Sequence, residues 1–200
     1  MNELIKLSRS FFTRDTQEVA KDLLGKYLVR KTDAGDMIGK VIEVEAYLGP
    51  IDKACHTYNY KKTEKTKIMY LIPGTLYVYF IYGMYYCLNI VTEPEEIPCA
   101  VLIRQLYPID GINLMKEYRN IKIGKNYKNL LDGPGKLCMA FNITKQNFNS
   151  TDSCAPNSNL FFTEGEKVNK ENIVSGKRIG IDNAEEDKEL LLRFSLKTNH

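Results

Sequence analysis

The chain has 200 residues, 44% of them hydrophobic, with 28 basic and 25 acidic side chains and a net charge of +3. That is enough apolar material for one well-buried domain, and it excludes a chain disordered throughout. The charge permits a nucleic-acid partner without arguing for one, and the longest apolar stretch, 77–91, is too short and too tyrosine-rich to cross a membrane.

Cysteines at 55, 87, 99, 138 and 154 are odd in number and lack metal-clip spacing. With no secretory leader recognised, a reducing, cytoplasmic setting is expected. Neither repeats nor low-complexity linkers interrupt the chain, so residues 1–200 are expected to form one domain.

Asp15-Thr16-Gln17-Glu18 resembles a capping box with Asp15 in the cap position. Val19, Ala20, Leu23 and Leu24 then mark one helix face, and Gly25 can close the helix. Residues 26–30 read as a strand, 33–36 as a turn, and 37–47 as a second strand antiparallel to the first. Along a regular strand Glu43, Glu45 and Tyr47 project to one face, about 7 Å between neighbours. Ile42, Val44 and Ala46 then face the core.

Leu48-Gly49-Pro50 ends that strand. Residues 51–67 are polar, with His56 and five lysines, and Leu71-Ile72-Pro73-Gly74 turns the chain. Residues 76–90 read as a β-hairpin with its tip near Tyr82-Gly83-Met84. Tyr77, Tyr79 and Ile81 share one face, and Val78, Phe80 and Tyr82 the other. An acidic loop over 92–98 leads to a strand over 99–105, with Arg104 near its end. Further expected elements are a helix over 110–119, a basic surface loop over 120–129 and a short helix over 136–141. A loop over 142–159 and strands over 160–163, 173–180 and 190–196 complete the chain.

Glu43 and Glu45 are the first candidate constellation. Breaking a sugar–base bond builds positive charge on the sugar; a carboxylate stabilises it and can deprotonate water. On spacing alone, two solvated carboxylates on an outer strand face are the commoner case. Five tyrosines at 77, 79, 82, 85 and 86 form the second. Rings stack on bases or wedge into a duplex, but tyrosine is also a good strand former. Tyr77 and Tyr86 fit sheet packing, whereas Tyr82, at a hairpin tip, is poorly suited to a core.

His56 in a polar loop reads as exposed unless it bonds a base edge, and no metal site is expected around it. Gly133-Pro134-Gly135-Lys136 lacks the spacing and the Ser or Thr of a phosphate-binding P-loop. It reads as a tight turn and helix start, with Lys136 available to a phosphate.

Together these runs closely resemble the alkyladenine (3-methyladenine) DNA glycosylase family. The matching segments are Phe11-Phe12, Leu23-Leu24-Gly25, Glu43-Val44-Glu45-Ala46-Tyr47-Leu48-Gly49-Pro50, Asp52, His56 and Pro73-Gly74-Thr75-Leu76-Tyr77-Val78-Tyr79. They continue with Ile81-Tyr82-Gly83-Met84-Tyr85, Asn89, Val101-Leu102-Ile103-Arg104, Gly133-Pro134, Lys136-Leu137-Cys138 and Arg178-Ile179-Gly180. They keep the family's order and span most of the chain.

The resemblance implies an α+β fold around a curved antiparallel β-sheet, with a protruding β-hairpin and peripheral helices. It implies a monofunctional enzyme that needs no metal or cofactor, flips a damaged purine out of double-stranded DNA and leaves an abasic site. Glu45 would be the general base, and Arg104 would act beside the flipped nucleotide. Tyr47, His56 and Tyr79 would line the base pocket, with Ala46 and the main chain of Ile181 completing it. Asn89 would disfavour guanine; Tyr82 would be the wedge, flanked by Met84 and Tyr85, with Lys136 on DNA. A monomer is expected, associated with the nucleoid in a bacterium or nuclear in a eukaryote.

The loop Thr57-Tyr58-Asn59-Tyr60-Lys61-Lys62 departs from the glycines and arginines of many relatives. The stretch after Leu191-Leu192-Arg193-Phe194 lacks their aromatic and basic tail. Two other classes compete: a lesion-binding protein that does not cut, which would not need Glu45, and a sugar hydrolase using Glu43 and Glu45. The second requires carboxylates on opposite sides of a substrate, which adjacent positions on one strand do not supply.

Overall fold

The computed structural model describes residues 4–122, 127 and 129–197. The readings at 123–126 and 128, within the expected basic loop, lie outside the described residues.

After a short helix α1 (Arg9–Phe12), Asp15 caps α2 (Thr16–Leu23), its carboxylate accepting from the Gln17 and Glu18 amides. Val19, Ala20 and Leu23 are buried, as their spacing predicts. Strands β1 (Tyr27–Thr32) and β2 (Gly35–Tyr47) form the first antiparallel pair, and β3 (Leu76–Ile81) and β4 (Tyr85–Thr92) the hairpin. The strand expected to stop at 105 runs on as β5 (Cys99–Asp110). It stays paired with β2 to its last residue, so the partner strand overrides Pro108.

Helices α3 (Ile112–Tyr118) and α4 (Pro134–Ala140) follow, and the expected loop over 142–159 contains a further short helix, α5 (Lys145–Phe148). Strands β6 (Leu160–Thr163), β7 (Ile173–Gly176) and β8 (Arg193–Leu196) complete one antiparallel sheet, ordered β3-β4-β5-β2-β1-β6. Strand β2 pairs with β5 along one edge. Its other edge forks: its first half pairs with β1, and Glu43–Glu45 pair with β8. The fork curls the sheet, giving a mixed α+β domain with few helices.

Alternation sorts the central strands into two faces. Val44, Ala46, Leu76, Val78, Leu88, Ile90, Val101 and Ile103 enter the main core beneath the helices. A smaller cluster of Cys55, Ile68, Met69, Tyr77, Val91 and Ala100 packs with Tyr47 and Tyr79. Glu45 and Tyr47, Tyr77 and Tyr79, and Asn89 therefore gather opposite the main core.

The β2–β5 register breaks between Ile38 and Gly39 and again on both sides of Glu43. Two offsetting bulges leave Ile42 of β2 and Arg104 of β5 outside the register, between the pairs Val41–Leu106 and Val44–Ile103. Val41, not Ile42, enters the core, and Ile42 is only half-buried. The bulge in β5 frees Arg104 from the ladder and aims its side chain at the two carboxylates.

Candidate active site

Glu45 has no exposed surface. Its Oε2 accepts the Tyr47 hydroxyl at 2.8 Å, and its Oε1 accepts the Ile179 amide at 2.8 Å. Arg104 spans both carboxylates, with Nε 3.0 Å from Glu43 and Nη1 3.2 Å from Glu45 Oε1. Arg193 reaches Glu43 from β8 at 3.3 Å. The expectation of two solvated carboxylates is overturned: β8 and the 177–181 segment cover this part of β2. Glu43 is engaged by two arginines; Glu45 stands directly behind the cleft wall, held by Tyr47, Arg104 and Ile179, which line it.

Burial pushes the Glu45 carboxyl above the usual carboxylate range. Arg104, the Ile179 amide, the Tyr47 hydroxyl and Arg178 draw it back toward the charged form. Burial and the neighbouring Glu45 hold the Tyr47 hydroxyl well above the ordinary tyrosine value, so it remains the donor.

In front of these groups lies a cleft of about 400 Å³, large enough for a small-molecule-sized group such as a base. Tyr47, His56, Tyr77, Tyr79, Asn89 and Arg104 line it, with Ile179, Gly180 and Ile181 opposite. His56 is not the exposed histidine its polar loop suggests. Its Nδ1 lies 3.0 Å from the Tyr77 hydroxyl, and its ring stands edge-on to Tyr79 at 4.7 Å. Burial, then the charges of Lys65 and Lys61, depress its pKa to about 4, so the imidazole is neutral near pH 7. Asn89 donates to the Tyr77 carbonyl at 3.1 Å, which fixes its amide at the cleft.

The hairpin rises beside this cleft. Tyr82 and Gly83 both adopt left-handed backbone, φ 54° and 68°, in a tight turn closed by the Met84 amide on the Ile81 carbonyl, within a three-residue loop between the paired Ile81 and Tyr85. Glycine takes this freely, whereas tyrosine does not, and the turn leaves Tyr82 77% exposed. Met84 and Tyr85 are exposed beside it. Strand β4 packs on α4, where a Cβ on Gly135 would come within 2.9 Å of the Tyr85 ring. Lys136, on the same helix, pairs with Asp132 at 2.9 Å.

The expected pocket residues line the cleft, except that Glu45 lies behind its wall and Ala46 points away. Ala46 does not reach the cleft: its side chain belongs to the main core and its carbonyl accepts from Arg178 at 3.0 Å. Sequence reasoning missed Ile179, because a main-chain N–H leaves no side-chain signature. The strand expected over 173–180 ends at Gly176, and the segment beyond it forms a cleft wall. Also missed were Pro134, Gly135 and Lys65, whose ammonium lies 4.9 Å from the Tyr79 ring centroid. The Gly-Pro-Gly run was the available signal for the first two; nothing distinguished Lys65 from four neighbouring lysines.

A buried carboxylate behind a ring-lined cleft, with an exposed aromatic tip beside it, fits the class of DNA glycosylases, hydrolases of N-glycosyl bonds in base excision repair. The family model described as methylpurine-DNA glycosylase matches residues 10–200, and the chain belongs to that family. A protein of Clostridium novyi (strain NT) is 50% identical over 202 residues, covering 96% of this chain and 95% of its own. One of Alkaliphilus oremlandii (strain OhILAs) is 48% identical over 200 residues, covering 98% and 97%. Each bears the name "Putative 3-methyladenine DNA glycosylase". No helix among the described residues is long and apolar enough to cross a membrane.

Proposed function

We propose that the chain releases alkylated or deaminated purines from duplex DNA, with Glu45 as general base and a water molecule as nucleophile. The observation that carries this reading is the buried Glu45 carboxylate beside the ring-lined cleft. A base inside a duplex hides its glycosidic bond, so the nucleotide rotates out, at a cost of a few kcal/mol that is smallest for damaged bases. Tyr82 fills the gap, with Met84 and Tyr85 on either side and Lys136 near the backbone.

Tyr47, His56 and Tyr79 hold the extruded purine, and the Ile181 main chain meets its edge. In the tautomer whose Nδ1 accepts from the Tyr77 hydroxyl, His56 keeps Nε2–H as its remaining donor. Asn89 disfavours the exocyclic amino group of guanine. As the C1′–N bond lengthens, its electron pair leaves with the base and positive charge grows on the sugar. Glu45 takes a proton from water, whose oxygen bonds to C1′. Arg104 keeps the carboxylate oriented, and Glu43 offsets part of the arginine's charge. A cationic alkylated base departs neutral, whereas a neutral deaminated base also needs a proton. No amine attacks the sugar, so the backbone stays intact.

The enzyme works as a monomer in the cytoplasm, on nucleoid DNA; the five free cysteines are consistent with a reducing setting. The test is base release from duplexes carrying 3-methyladenine, 7-methylguanine, hypoxanthine or ethenoadenine, with Glu45→Gln as control. Release by the wild type that is lost in the variant is the expected result. Equal release by both would remove Glu45 from the mechanism.

A further inference from the structure

The most deeply buried ion pair in the site has no role in the mechanism so far. Arg178 and Asp52 have 0% and 1% side-chain exposure and meet through both terminal guanidinium nitrogens, with Nη2 2.8 Å from Asp52 Oδ1. Asp52 also accepts the Leu48 and Ala54 amides, each at 3.0 Å, fixing the turn that leads to His56. Arg178 donates in addition to the Ala46 carbonyl, between Glu45 and Tyr47, and its guanidinium lies 4.8 Å from the Tyr47 ring centroid. The next residue, Ile179, supplies the amide on Glu45.

A pair that served the fold alone could sit anywhere in the interior, and buried ion pairs are poor stabilisers once desolvation is counted. This one instead ties together three segments of the cleft: the end of β2, the turn before His56, and the 177–181 wall. We propose that Arg178 and Asp52 are positioning residues, which hold the Ile179 N–H on Glu45 and the Tyr47 ring against the cleft. The proposal rests on the reading of Glu45 as general base. An arginine is required because its planar fork satisfies a carboxylate and a carbonyl while stacking on a ring; lysine lacks that geometry.

The consequence lies in the pH dependence of the reaction. The groups around Glu45 are Glu43 and Tyr47 on its own strand, Arg104 on β5 and Arg193 on β8. Arg178 faces it from the 177–181 wall, and Tyr79 and Cys87 from the hairpin. The Ile179 amide and Arg178 both favour the carboxylate form. Releasing them leaves burial less opposed, so Glu45 ionises at higher pH.

The experiment is single-turnover release from methylated duplex DNA, whose cationic purines need no proton to leave. It is run from about pH 5 to about pH 9 with Arg178→Lys, Asp52→Asn and the apolar double variant Arg178→Met/Asp52→Leu. The double variant removes both charges together, so neither is left buried and unpaired. The expected result in every folded variant is an acid limb moved up by about one pH unit and a plateau about tenfold lower, with affinity for an uncleavable abasic-analogue duplex within about threefold. A limb that stays at the wild-type pH in folded variants overturns the proposal, whatever the rate. Loss of the fold in all three variants also overturns it, by assigning the pair to the fold. Glu45→Gln separates the two levels: wild-type release by that variant sinks the general-base reading itself.

Discussion

The Tyr47 hydroxyl closes the last open oxygen of Glu45: Oε2 receives the phenol at 2.8 Å, while Oε1 already receives Ile179 and Arg104. Both oxygens of the Glu45 carboxylate are therefore engaged within the free protein. On the proposed general-base reading, a nucleophilic water would share or replace the phenol's place on Oε2. Because the Tyr47 bond favours the ionised carboxylate, Tyr47→Phe is expected to raise the pH at which base release begins. The retained ring keeps lesion binding within about threefold. An unmoved acid limb would mean that the phenol has left the carboxylate in the substrate complex.

Glu45→Gln is expected to lower base release by at least about 10²-fold, the low end of general-base effects, while lesion-duplex affinity changes little. Its effect on stability has the opposite sign. Glu45 ionises at higher pH in the folded chain than in the unfolded one, so its neutral form favours folding at acid pH. That contribution is lost as pH rises through the folded value. Glutamine removes the penalty, and the variant should melt above the wild type near pH 7 and close to it in acid. A lower melting temperature for Glu45→Gln near pH 7 would contradict this balance.

His56 gives the acid-side counterpart. Its folded pKa of about 4 lies below the ordinary histidine value near 6.5, so it folds neutral. The stability this provides is complete above about pH 6.5 and is lost as pH falls toward about 4, by roughly 1–2 kcal/mol for a half-buried ring. His56→Gln keeps a polar partner for Tyr77 but does not titrate there. Denaturant melts near pH 7 and near pH 4.5 should show a smaller pH difference for the variant; equal differences would place His56 on the surface.

Tyr82→Ser should reduce affinity for a lesion duplex by roughly 1–3 kcal/mol, the scale of one lost stacking ring. The exposed ring contributes little to the fold, so the melting temperature should hold. Wild-type affinity for the variant would take the wedge role from Tyr82.

Affinity for duplex DNA should also fall linearly with salt on a logarithmic plot, because phosphate contacts release counterions. Binding titrations at several salt concentrations measure the slope, and a flat response would count against a duplex substrate.

Much of the fold was legible because its signals are local. Asp15 announces a helix start, two-residue alternation defines β3 and β4, and Tyr82-Gly83 falls where a turn is required. The same alternation placed Glu45 and Tyr47 together, and family motifs supplied His56, Asn89 and Tyr82. The local rule failed where strands meet: the bulges that displace Ile42 and aim Arg104 depend on the β2–β5 register. They have no marker in either segment alone.

Sequence by itself determined the strand faces, the hairpin and the family, since side-chain period and motif order survive in a linear chain. Tertiary structure decided the electrostatic state of Glu45. Chief among the groups that oppose its burial is the Arg104 guanidinium from another strand, followed by the Ile179 amide, 134 positions away. Only folding desolvates a carboxylate and sets a distant N–H against it, so neither its raised pKa nor its restraint exists before the chain closes.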